Sequence, residues 1–136
     1  LTMHKGRLLQ NFQKEVQQFI AENKDNENIS SFIKALEDAV KEVMASTMWL
    51  MQNGMQDPEN ALSSASDYLN LVALTSLTYM WARTAKFSDG KNEPQHKTKI
   101  KTGTYFIEKF MPEIKMYSGK VQSGKSTLME MEVAEF

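Results

Sequence analysis

Apolar residues recur at steps of three and four along most of the chain, and this spacing constrains the fold more than any other feature. One face of an α-helix has this period, whereas a half-buried strand alternates with a period of two. Alternation over the length of a strand does not occur anywhere in the sequence. The sequence therefore predicts an all-α protein.

The first two predicted helices are separated by a polar loop. The first runs from about Gly6 to Asn23 and is ended by the polar run ENKDNEN, because Asn and Asp favour turns. The second starts near Ser30 or Ser31, where a hydroxyl can accept a hydrogen bond from a free N–H of the first turn. Gly54 is a plausible end for this helix.

The third and fourth predicted helices have clear start signals. Asp57 is the expected N-cap of the third and Pro58 its first residue, and small and large residues then interleave up to Phe87. We expect this helix to be the most buried in the chain. The fourth starts at about Pro94, and its 3,4 spacing continues through Pro112, which predicts one kinked helix rather than two. The tail after Lys125 is expected to add a short last turn of helix.

Short connections make consecutive long helices antiparallel. The predicted architecture is therefore an up-down-up-down four-helix bundle, with long antiparallel helices and short loops, in which residues 1–136 form a single domain. A chain of 136 residues is long enough to bury a core of this kind.

Composition narrows the function. With 16 basic and 17 acidic residues the net charge is −1, which indicates neither a nucleic-acid partner nor an acidic lipid surface. The absence of cysteine excludes disulfides and thiolate metal sites and is compatible with a reducing, cytoplasmic location. Apolar runs stay shorter than the ~18 residues of a membrane span, and the polar start shows no signal peptide.

The segment GKVQSGKS, residues 119–126, matches the phosphate-binding pattern G-x-x-x-x-G-K-[ST]. That loop needs a preceding strand whose turn points backbone N–H groups at the phosphates. Here the preceding residues have helical spacing, and too few residues follow for another strand-plus-helix unit. A helix end is the favoured interpretation, and a nucleotide-binding ATPase is kept as an alternative.

Other chemistry is weakly indicated. The two histidines, His4 and His96, lack metal-ligand spacing and are expected on the surface. Asp67 and Arg83 lie in the largely apolar third helix, and we expect them to pair with other helices. Carboxylates and lysines on the second helix predict a solvated, salt-bridged face. We assign no catalytic, cofactor-binding or metal-binding residue.

Aromatic residues are the candidates for packing or for an interface. Trp49, Tyr68, Tyr79 and Trp81 predict an aromatic cluster, either in the core or on a seam that binds a partner. The sequence does not separate these two interpretations. The full candidate set for packing or interface is Trp49, Tyr68, Tyr79, Trp81, Arg83, Tyr105 and Phe106.

Two stretches resemble the extra C-terminal domain of a subgroup of acyl-CoA dehydrogenases, the acetyl-CoA dehydrogenase C-terminal-like type. In the first, residues 61–86, a small-residue helix precedes an aromatic-rich W-x-R-x-A segment. In the second, residues 99–131, an aromatic pair is followed by an apolar residue and proline, then a helix and a glycine. The matching residues are Ala65, Tyr68, Leu69, Trp81, Arg83, Ala85, Tyr105, Phe106, Met111, Pro112, Gly124, Leu128 and Met129. The resemblance covers the second half well and the first half loosely, and this chain is richer in Lys, Asn and Met than the family usually is.

The resemblance implies a parent enzyme that oxidises an acyl-CoA at its α and β carbons. A glutamate would remove the α proton and FAD would accept the β hydride, and both would belong to preceding domains. This chain would then be an excised, non-catalytic C-terminal domain that packs on those domains, covers the active site or contributes to a homo-oligomer. Leu1 in place of an initiating Met is compatible with such a piece. The alternative is a free-standing helical module that binds a protein along a Met/aromatic seam.

Overall fold

The computed structural model describes residues 3–135, and these form helices without a β-strand. Four long helices follow one another, and a four-residue helix closes the chain. Single 3₁₀ turns precede α2, at Glu27–Ile29, and follow α5, at Val133–Glu135. The α-helices are α1 (Met3–Asn23), α2 (Ser30–Gly54), α3 (Pro58–Ser88), α4 (Pro94–Gln122) and α5 (Ser126–Met129). The predicted all-α class is confirmed, and the first helix begins three residues earlier than Gly6.

The third and fourth helices start where the sequence predicts, for the expected reasons. Asp57 caps α3 by accepting a hydrogen bond from the Glu59 N–H at 3.2 Å, and Pro58 is the first helical residue. Gly90, with φ of 74°, turns the chain between α3 and α4. α4 continues through Pro112 as one helix, as predicted, and the expected kink stays a prediction.

Contacts along the helices establish the up-down-up-down order. Asn26, before α2, donates to the Asp89 carboxylate, after α3, at 3.1 Å, so these helices are antiparallel. Ser64 near the start of α3 bonds Val121 near the end of α4, which makes that pair antiparallel as well. α2, α3 and α4 pack extensively on one another, whereas α1 makes fewer contacts, with α2 and with Tyr79 of α3. The bundle is therefore a three-helix unit with α1 laid against it.

The core has two parts with different character. The larger part joins α1, the first half of α2 and the second half of α3, and it includes the rings of Phe19, Phe32 and Tyr79. The smaller part lies between α2, α3 and α4 and is built around Ala39, Leu71 and other small or medium side chains. Buried hydroxyl groups accompany the second part, where Ser46 and Ser118 lie 3.1 Å apart. Within residues 3–135 every fully buried polar side-chain atom has a hydrogen-bond partner.

The expectation that α3 is the most buried helix is wrong. Its buried face carries mainly small or hydroxyl-bearing residues, whereas Leu62, Leu69 and Met80 are 76%, 69% and 61% exposed. Small side chains face inward because α2 and α4 approach α3 closely, and Thr75 and Thr78 satisfy their hydroxyls on carbonyls of their own helix at 2.9 and 2.8 Å. Several large side chains of α3 therefore point away from the bundle, although Leu71 and Tyr79 are buried in it.

Candidate functional site

The described residues contain no group of three or more His, Asp or Glu side chains that could hold a metal ion. His96 is 7% exposed, so the expectation of a surface histidine is wrong for this residue. Its Nδ1 lies 3.1 Å from the Ser88 hydroxyl, and its ring lies against Phe87. The first turn of α4 therefore packs on the end of α3, and His96 makes the contacts between the two helices.

The glycine–lysine–serine segment joins two helix ends. α4 stays helical to Gln122, and Gly124 then reverses the chain with a φ of 70°. The Lys125 N–H donates to the Asn60 side chain at 3.2 Å. Its ammonium contacts the carboxylates of Asp57 and Glu59, each at 2.5 Å.

The pKa values of this segment reflect those contacts. The hydrogen bonds with Asp57 and Glu59 raise the pKa of Lys125, and the hydrogen bond from Lys125 lowers the pKa of Asp57. The lysine of a phosphate-binding loop must be available to phosphate and must follow a strand. In residues 3–135 this lysine follows a helix and is held by two carboxylates, which argues against the ATPase alternative.

Two of the aromatic candidates, Trp49 and Tyr68, lie in the second half of α2 and the first half of α3. The Trp49 ring lies 3.4 Å from where a Cβ on Gly124 would stand, so it covers the turn after α4. Tyr68 is half-buried, and its hydroxyl lies 2.6 Å from that of Thr47 on α2. Burial raises the pKa of Tyr68, and the Thr47 contact opposes that rise.

Tyr79 and its neighbours belong to the larger part of the core. The rings of Phe12 and Phe19 make T-shaped contacts with the Tyr79 ring, with centroids 6.0 and 5.4 Å away. The Tyr79 hydroxyl donates a hydrogen bond to the Glu15 carboxylate at 3.2 Å. Burial and the Glu15 carboxylate raise the pKa of Tyr79. Arg83 is exposed and lies 5.6 Å from the centre of the Tyr79 ring, so it does not need the buried ion pair that we expected.

Trp81 and Phe106 belong to a row of aromatic rings along α3 and α4. Trp81 lies against Phe106, with ring centroids 6.3 Å apart, and Phe106 stacks on Phe110. Tyr105 is 59% exposed. Trp49, Tyr68, Tyr79 and Trp81 thus make separate contacts and do not form the single cluster that the sequence predicted. Whether any of them contacts a partner stays a prediction.

The expected salt-bridged face of α2 is also wrong. Within the described residues, Glu37, Asp38 and Glu42 form no ion pair with Lys34 or Lys41. The carboxylates are half-buried while both lysines are exposed. An open groove of about 490 Å³ between α1 and α2 includes Lys24, Glu37 and Lys41. This groove is shallow and open to solvent, so it does not enclose a ligand.

Sequence reasoning missed an outer face on α3, which is apolar and exposed. A helix turns by 100° per residue, and this face lies opposite the buried one. Residues 60–82 include a single charge, Asp67, which lies off this face. Plotting residues around the helix, rather than noting that small and large ones interleave, would have found it. The outer face of α3 consists of Leu62, Ser66, Leu69, Ala73, Leu77, Met80, Thr84 and Phe87.

A second exposed apolar surface lies on the second half of α2, and we name it the methionine stripe. It continues the face of α2 that α1 covers further back, where Gln17 contacts Met44 at 3.7 Å. The stripe consists of Met44, Met48, Met51 and Met55, which are 44%, 59%, 58% and 83% exposed. Methionine adapts to irregular partners, and exposed apolar surfaces of this kind mark interaction sites.

Comparison with known families matches this chain to the model described as "Acetyl-CoA dehydrogenase C-terminal like", over residues 12–132. The match covers most of all four long helices, the methionine stripe and the outer face of α3. None of the curated proteins matches the chain. Within residues 3–135, no helix is both long enough and apolar enough to cross a membrane.

Proposed function

The chain belongs to the acetyl-CoA dehydrogenase C-terminal-like family, and on that premise we propose that it is the non-catalytic C-terminal domain of an FAD-dependent acyl-CoA dehydrogenase. The family match over residues 12–132 carries the proposal. A cytoplasmic location, supported by the cysteine-free composition, and a role in fatty acid metabolism are parts of it.

In the proposed parent enzyme, preceding domains supply the glutamate base and FAD, whose flavin accepts the hydride from the acyl-CoA. The residues of this chain do not fit FAD. A flavin dinucleotide needs an enclosed, largely apolar pocket and backbone N–H groups directed at its pyrophosphate. The segment with the phosphate-binding pattern instead engages Asn60, Asp57 and Glu59.

The proposed role is to pack against the catalytic domains of the same polypeptide. The methionine stripe is the surface that we assign to this contact, because its side chains can repack against an irregular neighbour. Through such a contact the domain would shield part of the catalytic body from solvent.

The first test concerns the parent gene and the isolated chain. We expect an in-frame coding sequence for a dehydrogenase body upstream of Leu1. The isolated chain is expected to leave flavin fluorescence unchanged on titration with FAD and to show no acyl-CoA-dependent reduction of an electron acceptor. A stop codon just before Leu1, or turnover by the isolated chain, would contradict the proposal.

The second test concerns the methionine stripe in the full polypeptide. Met48→Glu with Met51→Glu should lower the temperature at which the catalytic body loses its flavin, because a charged stripe no longer packs against it. Ala45→Glu is the matched control, since Ala45 is an exposed residue of α2 off the stripe. Equal flavin retention in both variants would show that the methionine stripe does not contact the catalytic domains.

The alternative function is a free-standing module that binds another protein along the methionine stripe. The exposure of Met48, Met51 and Met55 is the observation that favours it. The upstream reading frame distinguishes the two functions: an in-frame dehydrogenase body excludes the free-standing module, and its absence excludes the domain.

A further inference from the structure

The outer face of α3 has the pattern of a helix that packs on both sides. Its inner face already packs on α2 and α4 through small residues such as Ser64 and Ala82, each at most 1% exposed. Its outer face then presents Leu62, Leu69 and Met80 to solvent without an intervening charge. Apolar positions at steps of three and four over seven turns are typical of a helix–helix contact.

Small residues are interspersed among the large ones along this outer face, with Leu77 and Met80 as successive large residues, and the order largely matches the face to itself. When two copies of α3 are placed antiparallel about Ala73, Ser66 of one copy lies opposite Met80 of the other. Leu62 likewise lies opposite Thr84, and Phe87 lies opposite Glu59, so that only Leu69 and Leu77 pair large with large. The alanine at the centre lets the two helices approach closely, and antiparallel helix dipoles attract.

We propose that the outer face of α3 is a self-association surface, at which a second copy of this chain binds across a two-fold axis near Ala73. An interface of this kind uses the same patch on both copies, so self-complementarity is its physical requirement. A different protein would not require large residues to match small ones about the centre of the same helix. The inference deepens the proposed structural role and rests on it for its biological meaning, but its test uses this chain alone.

The size of the face sets the expected affinity. The face from Leu62 to Phe87 is about 38 Å long and about 10 Å wide. Two such faces bury on the order of 1,000 Å² in total, which is near the lower limit of specific interfaces. We therefore expect a dimer that dissociates in the micromolar range.

Sedimentation equilibrium of the 136-residue chain, from low micromolar to near-millimolar concentration, is the first experiment. The wild type should shift from monomer to dimer over that range. Ala73→Glu places two like charges at the two-fold axis and should abolish the shift, whereas Ala45→Glu should leave it unchanged. Far-UV circular dichroism should show the same helix content in both variants, since both alanines are exposed.

Cross-linking tests the position of the axis. Because the chain has no cysteine, Ala73→Cys introduces a single thiol that would face its own copy. Mild oxidation should give a covalent dimer, since two Cα atoms must lie within about 7 Å to form a disulfide. Ala45→Cys should remain mostly monomeric under the same conditions.

A charge pair tests the register. Ser66→Lys and Met80→Glu should each weaken the dimer, and the double variant should recover it because each lysine then faces a glutamate of the other copy. A wild type that stays monomeric throughout, or equal cross-linking at positions 73 and 45, would overturn the proposal. Neither result would affect the dehydrogenase assignment, which depends on the reading frame and on flavin chemistry.

Discussion

The neighbouring helices α2 and α3 bury opposite kinds of residue. α2 directs Phe32, Leu36 and Val43 into the core, and its charged residues lie elsewhere. α3 directs mainly small or hydroxyl-bearing residues such as Ser64 and Thr75 inward, with Leu71 and Tyr79 as exceptions, and leaves several large apolar residues in solvent. The difference shows that a helix can be essential to a bundle through close approach of its backbone rather than through the apolar area that it buries.

Truncating a large apolar residue should therefore have very different effects on the two helices. Leu36→Ala on α2, at 0% exposure, should lower the free energy of unfolding by about 2–5 kcal/mol, because it leaves a cavity. Leu69→Ala on α3 should change it by less than about 0.5 kcal/mol. Urea unfolding, at dilutions that keep the chain monomeric, measures both. Comparable losses would mean that the outer face of α3 already packs within the monomer.

Two glycines of α4 test the same contrast, because Gly103 lies on a closely packed face of the helix and Gly119 on an open one. A Cβ on Gly103 would stand 2.8 Å from the Phe32 ring and 2.9 Å from the Trp81 ring. Gly103→Ala should therefore destabilise by about 1–3 kcal/mol, in spite of its better helix propensity.

Gly119→Ala on the same helix is the matched control. A Cβ there meets nothing within 4 Å, so this variant should gain up to about 1 kcal/mol. Thermal unfolding of the two variants should move in opposite directions. A stabilised Gly103→Ala would show that α2 and α3 can yield at this point.

Removing a hydroxyl group should lower the free energy of unfolding on the inner face of α3 but not on the outer face. Ser64 is 1% exposed and donates to the Val121 carbonyl at 2.8 Å. Ser64→Ala should lower the free energy of unfolding by about 1 kcal/mol, because it leaves that acceptor without its partner. Ser66→Ala, which is exposed, should be neutral within about 0.5 kcal/mol. Chemical denaturation midpoints of the pair give the comparison.

The smallest effect is expected at the ion pairs that hold the start of α3. The pKa of Asp57 is lowered, so its contribution is complete above its unfolded value of 3.8 and is lost as pH falls through the lower folded value. The pKa of Lys125 is raised, so its contribution is complete below 10.5 and is lost as pH rises through the higher folded value.

The melting temperatures of wild type and Lys125→Met should consequently differ slightly and constantly between pH 3.8 and 10.5, and converge outside that window. High salt should reduce the difference, because these partly exposed charges are screened. A large, salt-independent difference would indicate that Lys125 stabilises the whole bundle and not only the start of α3.

Much of the fold could be predicted because its signals are local. Asp57 and Pro58 start α3 through their own backbone preferences, and the apolar spacing of α4 outweighs the cost of Pro112. The burial of His96 could not be predicted, because it depends on Ser88 and Phe87, which only the turn between α3 and α4 brings near. The predicted cluster of aromatic residues was wrong for the same reason, since only the packing of the helices decides which aromatic rings come together.

By itself the sequence determined the helices, their order and their family resemblance, since helix period and capping act between residues a few positions apart. Only the tertiary structure decided which face of α3 is buried, because both of its faces carry residues that can pack. The backbones of α2 and α4 come close to α3, so its buried face carries mainly small or hydroxyl-bearing residues such as Ser64, Thr75 and Ala82, with Leu71 and Tyr79 as the larger exceptions. Leu62, Leu69 and Met80 were thereby left on the outside, where they form part of the surface that we assign to a second copy.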